Sequence, residues 1–566
     1  MNAAAIVPSS SCTNSGGSFG ATDTITFADA VTSVALADLA NNELLITDSL
    51  LTIRGTGTGG VTVSRVSGAV HPFRIFHDTA AAAGNGLYLS GLTISNGATS
   101  AASAKGGAIF MDNASTAEGE IVTLTNCIVS GNSTSGASAV GGAIAAGNFY
   151  NDGTVRLISS TISGNSTSGA NSGGGAIYAT HQTYMQDSVV SGNSTTGQDS
   201  PGGAIRTLVA VADMTTLSDN STLSDDSGGG AIATFGGSGN VEGTYDSFIG
   251  NSTAGNNSPG GAINTLSAQT LSYFFFSDNS TAGDGSSGGA IYALHTTLEG
   301  STISGNTVSG NSSNGGGIYS RKISLGSSTV SDNAASGELS SGGGIWLLGG
   351  NLSDSTVSGN IASVGGGGIN VDVCTVSSPS LTMYNSTIAF NATANAGAGA
   401  YLESAGCTAF GPAYSLQTSA AVKAASSILS NTTVANADGF DISAQTGLAL
   451  TINTSFDLIQ RPPSGAGVTL LNAAGSPALI SGDPKLILLA DNGCGVKSGA
   501  PNNAVCMPTH GITGCSLAHD AGTNPLNFRY DERGSGYPRV AGTAADIGAY
   551  ELEPNGDDIF CNGFQP

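Results

Sequence analysis

The stretch Ser301-Thr302-Ile303-Ser304-Gly305-Asn306, followed nine residues on by Gly315-Gly316-Gly317-Ile318, decides how this chain folds. Both halves recur. Gly-Gly-Ala-Ile begins at Gly106, Gly141, Gly174, Gly202, Gly229, Gly260 and Gly288, and Gly-Gly-Gly-Ile at Gly315, Gly342 and Gly366. The Asn of the other half recurs at Asn132, Asn165, Asn193, Asn220, Asn251, Asn279, Asn306, Asn333, Asn360 and Asn391. The commonest spacing is 27 residues, as from Asn279 to Asn306 to Asn333. From Asn to the next Gly pair the distance is nine residues eight times running, and six only at Asn360 to Gly366. The return arc varies between 18 and 26 residues. One side of each unit is fixed in geometry, and insertions emerge on the other.

The position of Ile303 is filled elsewhere by Val129, Ile162, Val190, Leu217, Phe248, Phe276, Val330, Val357 and Ile388, mostly flanked by Ser or Thr. Alternation with period two describes a short strand with one buried face. Such a unit cannot bury its apolar face alone, so neighbouring units must stack to make a core. The expected fold is all-β, a single right-handed parallel β-helix. Its N-terminal cap and leading coils take 1–100, its repeats 101–480 (clearest over 106–400), a capping segment 481–553 and a tail 554–566. Asn suits a corner because it tolerates the left-handed conformation. At strand spacing its amide also reaches the Asn of the next coil, forming a ladder. The repeated Asn-Ser-Thr reads alternatively as a glycosylation sequon, but the Asn follows the repeat register rather than loop tips. The Gly pair marks a second corner where backbone passes close to backbone.

Composition removes other classes. The 566 residues include 85 Gly without a Gly-X-Y period, 39% hydrophobic residues and only 10% charged ones, which excludes collagen and argues against disorder. With 15 Lys+Arg against 39 Asp+Glu, the net charge of −24 leaves no basic stripe for nucleic acid. No apolar run is long enough for a membrane-spanning helix. None of the eight Cys forms a C-x-x-C pair and no His stands at zinc-finger spacing, so neither metal nor cofactor is expected. Cys494, Cys506 and Cys515 cluster where a disulfide clip would help. Met1–Ser11 carries no signal-peptide pattern, yet low charge, abundant Ser/Thr/Asn and clustered Cys favour an extracellular setting.

Gly-Gly-Ala-Ile alternating with Ser-x-Ile-Ser-Gly-Asn resembles the repeats of the polymorphic outer membrane proteins and related bacterial β-helix surface proteins. Phe248-Ile249-Gly250-Asn251 and Phe276-Ser277-Asp278-Asn279 show their FxxN motif literally. Gly482-Asp483-Pro484-Lys485-Leu486, Asp531-Glu532-Arg533-Gly534 and Asp546-Ile547-Gly548-Ala549-Tyr550-Glu551 look like the choice-of-anchor segment that closes many secreted bacterial β-helix proteins. Ile559-Phe560-Cys561-Asn562-Gly563-Phe564 looks like a short sorting tail. The resemblance implies an exported, surface-displayed, non-enzymatic adhesive or structural envelope protein. Its partners would be surface glycans or the surface of a host or neighbouring cell.

Right-handed β-helices also house polysaccharide lyases and hydrolases, so a polysaccharide-binding or polysaccharide-degrading enzyme is the rival class. Those enzymes need clustered carboxylates with a cation for the substrate acid. Asp225-Asp226 is the only acidic doublet in the repeats, and it falls in a corner arc where solvated charge is ordinary. The residue after each inward Ile points outward. That column places Tyr292, Tyr319 and Trp346 on three successive coils, with Arg321 and Asp372 in a second outward column two residues on. An exposed aromatic strip flanked by polar groups would hold a sugar chain, with Arg321 and Asp372 as its sharpest catalytic candidates. Stacked aromatics also serve simply to hold adjacent coils together.

Overall fold

The computed structural model describes residues 23–553 except 41, 48–49, 57–59, 80–85, 113–119, 148–151, 375–379, 394–396, 405–416, 418, 432–439 and 494–506. The tail 554–566 and Cys12, Cys407, Cys494, Cys506 and Cys561 lie outside the described residues. The chain is an all-β parallel β-solenoid of about 13 turns. It divides into two compact units, residues 1–267 and 268–566. Among the described residues the only helical piece is the 3₁₀ turn Gly236–Ser238.

One coil of the second unit contains the strands Ile291–Glu299, Thr302–Ser304 and Thr307–Val308. Each pairs in parallel, without slippage, with its counterpart one repeat later: Ile318–Gly326, Thr329–Ser331 and Ala334–Ala335. The first unit repeats the scheme, as in Ile177–Gln186, Val189–Ser191 and Ser194–Thr195 against Ile205–Asp213, Thr216–Ser218 and Ser221–Thr222, with one register shift between Ala179 and Gln182. Stacking in register puts Ile on Ile. Val129, Ile162, Val190, Leu217 and Phe248 in one unit, and Phe276, Ile303, Val330, Val357 and Ile388 in the other, are all fully buried. The inward Ile of each Gly-Gly motif joins them, so the core is a set of apolar columns along each stack.

The Asn corner differs from expectation in one respect. The left-handed residue is not the Asn but the one before it: Gly131 (φ 64°), Gly164 (61°), Asp219 (54°), Asp278 (57°), Gly305 (67°), Asp332 (55°) and Phe390 (56°). That turn swings the Asn side chain inward. Asn306 donates to Asn333 Oδ1 from its backbone N at 3.0 Å and from Nδ2 at 2.9 Å, and its Nδ2 also reaches the Phe276 carbonyl at 3.2 Å. The ladder runs from Asn132 through Asn165, Asn193 and Asn220 to Asn251 in the first unit. In the second it runs from Asn279 through Asn306, Asn333, Asn360 and Asn391 to Asn431, where Asp441 accepts the last backbone N–H. Fully buried and doubly bonded, these amides are inaccessible to glycosylation.

Two further ladders stand at the other corners, built from hydroxyls rather than amides. At the corner entering the core strand, Phe274 N donates to Ser301 Oγ, Ser301 N to Ser328 Oγ, Ser328 N to Ser355 Oγ and Ser355 N to Ser386 Oγ. That series ends with Ser427 N on Asp457 Oδ1. In the nine-residue arc, Ser172 N donates to Ser200 Oγ, Ser200 N to Ser227 Oγ and Ser227 N to Ser258 Oγ. The arc is constant because it is closed internally. Thr195 Oγ1 donates to the carbonyl of Ser200 and Thr253 Oγ1 to that of Ser258, five residues on in both cases. The Gly pair then divides two duties. Gly315 adopts φ 71°, while a Cβ on Gly316 would lie 2.2 Å from the Gly343 carbonyl oxygen of the next coil.

Within the second unit, residues 507–552 lie along the outward face of Thr329–Ser331, Thr356–Ser358, Thr387–Ala389 and Ile428–Ser430. Glu532 is fully buried there, accepting from Thr356 N at 3.1 Å, from Thr356 Oγ1, and from Thr329 Oγ1 at 3.0 Å. His510 Nε2 lies 2.7 Å from Ser358 Oγ, and Ala549 N donates to Thr387 Oγ1 at 3.1 Å. Arg533 grips Asp531 with two nitrogens and lies between the rings of Tyr537 and Tyr550, at 3.9 and 4.1 Å from their centroids. Arg539 donates to the carbonyls of Asp546 and Gly548 and stands 3.8 Å from the buried Asp354. Ile512, Ala518 and Ile547 add an apolar contact with Ile428 and Leu458. Thr329 and Thr356, which strand alternation directs outward, are consequently buried, and Thr302 on the preceding coil is buried as well.

Candidate functional site

The outward column of the second unit is continuous in register: Tyr292, Tyr319, Trp346, Asn370 and Tyr401. The Tyr292 and Tyr319 rings stack at 4.8 Å and 10°, and Tyr319 and Trp346 at 4.2 Å and 0°. The expectation of a solvent-exposed strip is corrected at Trp346, which is 3% exposed and packs with Leu348, Cys374 and Tyr319. Leu348 and Cys374 cover Trp346 beside the Tyr319 ring. Coil spacing in a parallel stack also brings rings within contact distance, so Tyr319 has Tyr292 on one face and Trp346 on the other. Its flat faces are thereby withdrawn from any sugar ring. Burial raises the phenol pKa of both Tyr292 and Tyr319; Arg321 opposes the rise at both, and the Tyr292 phenol and Asp372 add to it at Tyr319.

The second column, two residues further on, reads Arg321, Leu348, Asp372 and Glu403. Leu348 N donates to the Arg321 carbonyl at 3.0 Å, so Leu348 separates Arg321 from Asp372 by a full coil. Opposite Asp372 on the following coil stands Glu403. Asp372 is buried and Glu403 half-buried. Asn370 Nδ2 donates to Glu403 Oε1 at 2.8 Å. Burial raises the Glu403 carboxyl pKa, the Asn370 bond offsets part of the rise, and the Asp372 charge adds to it. Cys374, which is disulfide-bonded, places Sγ 3.1 Å from Asp372 Oδ1.

Glu403 and Tyr401 escape a motif reading because their coil opens Gly397-Ala398-Gly399-Ala400 rather than Gly-Gly. Gly397 nevertheless takes φ 62°, like the first glycine of every regular repeat. Counting outward positions from Gly397 instead of searching for the motif would have found both residues. The chemistry offered is a carboxylate pair on adjacent strands beside half-buried tyrosines.

Other polar clusters make contacts of their own. In the leading coils His77 stacks on Phe110 at 5.3 Å, while Glu43 bonds His77 Nδ1 at 2.8 Å and Arg74 at 3.0 Å. Asp225 and Asp226 are exposed at their corner, where Asp225 Oδ1 accepts Asn256 N at 2.8 Å. His519, Asp520 and Asp546 bring one ligand atom each within 4.8 Å of one another, a grouping the spacing of motifs does not reveal. Asp546 there already accepts the backbone N–H groups of Asp520 and Leu552, and Asp520 that of Ala544, so these carboxylates hold turns. Cys515 is disulfide-bonded, whereas Cys127 is a free thiol buried at a hydroxyl-ladder corner, its backbone N donating to Ser160 Oγ. Compared with protein-family models, with curated proteins and with solved structures, the chain finds no match.

Proposed function

We propose that this protein is an exported β-solenoid displayed at the cell surface, with a structural or adhesive role and no catalytic one. The observation that carries the reading is the closure of the outward aromatic column. The side chains best suited to grip a sugar are stacked on each other, and Asn and Ser side chains at the corners bond from coil to coil along the stack. Such a surface presents a rigid repetitive face rather than a cleft. The reading is tested by labelling intact source cells with an antibody to the folded chain, and by measuring adhesion of those cells after deletion of the gene. Labelling only after cell lysis, with unchanged adhesion and envelope integrity, would overturn it.

The second reading is a polysaccharide-binding or polysaccharide-degrading protein, favoured by the opposition of Asp372 and Glu403 on adjacent coils. Paired carboxylates are what general acid and base chemistry on a glycosidic bond requires. A panel of acidic and neutral polysaccharides, assayed for new reducing or unsaturated ends, separates the two readings. Activity abolished by Glu403→Gln with an unchanged melting temperature would establish the second and remove the first.

A further inference from the structure

The strand Val468–Asn472 pairs in parallel with Ala449–Thr454, and among the described residues no strand takes its other edge. Leu470 lies opposite the fully buried Ile452, so it belongs to an inward column, yet it is 42% exposed because no coil stacks beyond it. Its neighbour Leu471 faces outward and is 48% exposed. Leu450 N donates to the Gly467 carbonyl at 2.8 Å and Ala473 N to the Thr454 carbonyl at 2.9 Å. These flanking bonds set an alternation that turns the N–H and C=O of Leu470 away from the one paired strand. The edge is held in place: Asn472 Nδ2 donates to the carbonyls of Ser476 and Pro477 at 3.0 and 2.7 Å.

Natural solenoids protect such an end with a polar capping repeat, and natural edge strands with charge. Among the described residues neither device is present at this end. From Pro462 to Gly482 the chain carries no charged residue, although its net charge is −24. We propose that this end is a self-association surface. Two copies pair their Val468–Asn472 edges antiparallel about a two-fold axis, with the two Leu470 positions facing each other across it. Charge argues for a second copy as the occupant. Like-charged chains repel across most of their surfaces, and this uncharged end is where two of them meet without opposing like charges. An edge strand is also self-complementary in an antiparallel pair, and a two-fold contact closes at the dimer. A single coil end is a small interface, so the dimer dissociates on dilution.

The test is sedimentation velocity on the full chain over a wide concentration series. The expected result is a monomer–dimer equilibrium that Leu470→Lys and Leu471→Lys each weaken by at least about tenfold, equivalent to about 1.4 kcal/mol. Val70→Lys, at another exposed apolar position, should leave it unchanged. Leu471 faces solvent, so its substitution decides the matter if Leu470→Lys perturbs the circular dichroism spectrum. Hydrogen exchange at the Leu470 amide should be fast in dilute protein and slow in concentrated protein. A monomer at every concentration overturns the proposal, as do assemblies that grow past the dimer or a dimer indifferent to both lysines. A Leu470 amide already protected in the monomer overturns it too, since the chain would then cover its own edge.

Discussion

At Asn306 a single amide serves three coils. Its Oδ1 takes both N–H donors of Asn279, its own donors go to Asn333 Oδ1, and Nδ2 also touches the Phe276 carbonyl. Asn306→Ala leaves the buried Asn279 amide without its acceptor. The expected cost is about 1–3 kcal/mol in urea unfolding. Adding Asn333→Ala should cost less than the sum of the single changes, because the two residues share a bond; strict additivity would contradict the ladder. The threonine that precedes several of the core residues offers a sharper contrast. Thr216 in the first unit is only half-buried, so Thr216→Asp should change stability by no more than about 0.5 kcal/mol. Thr356 is fully buried with its hydroxyl on Glu532. Thr356→Asp sets a second carboxylate against that one and should cost several-fold more in the same assay, at the same point of the repeat.

At the scale of the element, the laterally packed segment 507–552 turns on Glu532, a buried carboxyl that takes three donors from the solenoid strands. Burial pushes its pKa well above the usual carboxylate range, and the charges of Asp354 and Asp531 push it in the same direction. Glu532→Gln keeps the shape and an acceptor and should leave the segment docked. Glu532→Ala takes the acceptor from the buried Thr356 hydroxyl and should make residues 507–552 the first site cut in limited proteolysis; equal resistance in both variants would contradict this role. The coils were legible in the sequence because one rule repeats: the φ of Gly315 and the crowding at Gly316 recur through the regular repeats and leave a periodic mark. The hydroxyl ladders were less legible, since Ser301 and Ser313 resemble any surface serine until a neighbouring N–H is placed over them. Docking of the C-terminal segment was not legible at all. Thr329 and Glu532 are 203 residues apart, and no period connects them. The candidate site was half legible: register predicted the Tyr292–Tyr319–Trp346 alignment, but burial of Trp346 depends on packing that register does not encode.

At the scale of the whole molecule, the buried acids give stability a definite slope against pH. Burial raises the carboxyl pKa of Asp246 to about 8 and those of Asp457 and Glu551 to about 7. It also raises those of Asp332, Glu403, Asp441, Asp531 and Asp546, with Asp354 and Glu532 well above the ordinary range. A carboxyl raised on folding binds more protons in the native state than in the unfolded one. Its contribution is complete below the unfolded pKa near 4 and is lost as pH rises through the folded value. His510 acts in the opposite sense, since burial lowers its pKa and favours folding above about 6.5. Lowered carboxyls such as those of Asp38 and Asp520 also favour folding at higher pH, but they lie at the surface, where backbone N–H groups supply the largest contribution. The raised set prevails, so the melting temperature should be higher at pH 5 than at pH 8. Asp246 tests the cause. It occupies a corner-ladder position held mostly by Ser or Thr, and its Oδ1 accepts Thr215 N at 2.8 Å. Asp246→Asn keeps that acceptor and removes the titration. It should stabilise the protein at pH 8 by on the order of 2 kcal/mol, given about 1.4 kcal/mol per pKa unit discounted for relaxation, and change little at pH 5. A variant equally stabilised at both pH values would trace the gain to packing, and a melting temperature that rises from pH 5 to pH 8 would show that the buried acids do not govern the balance.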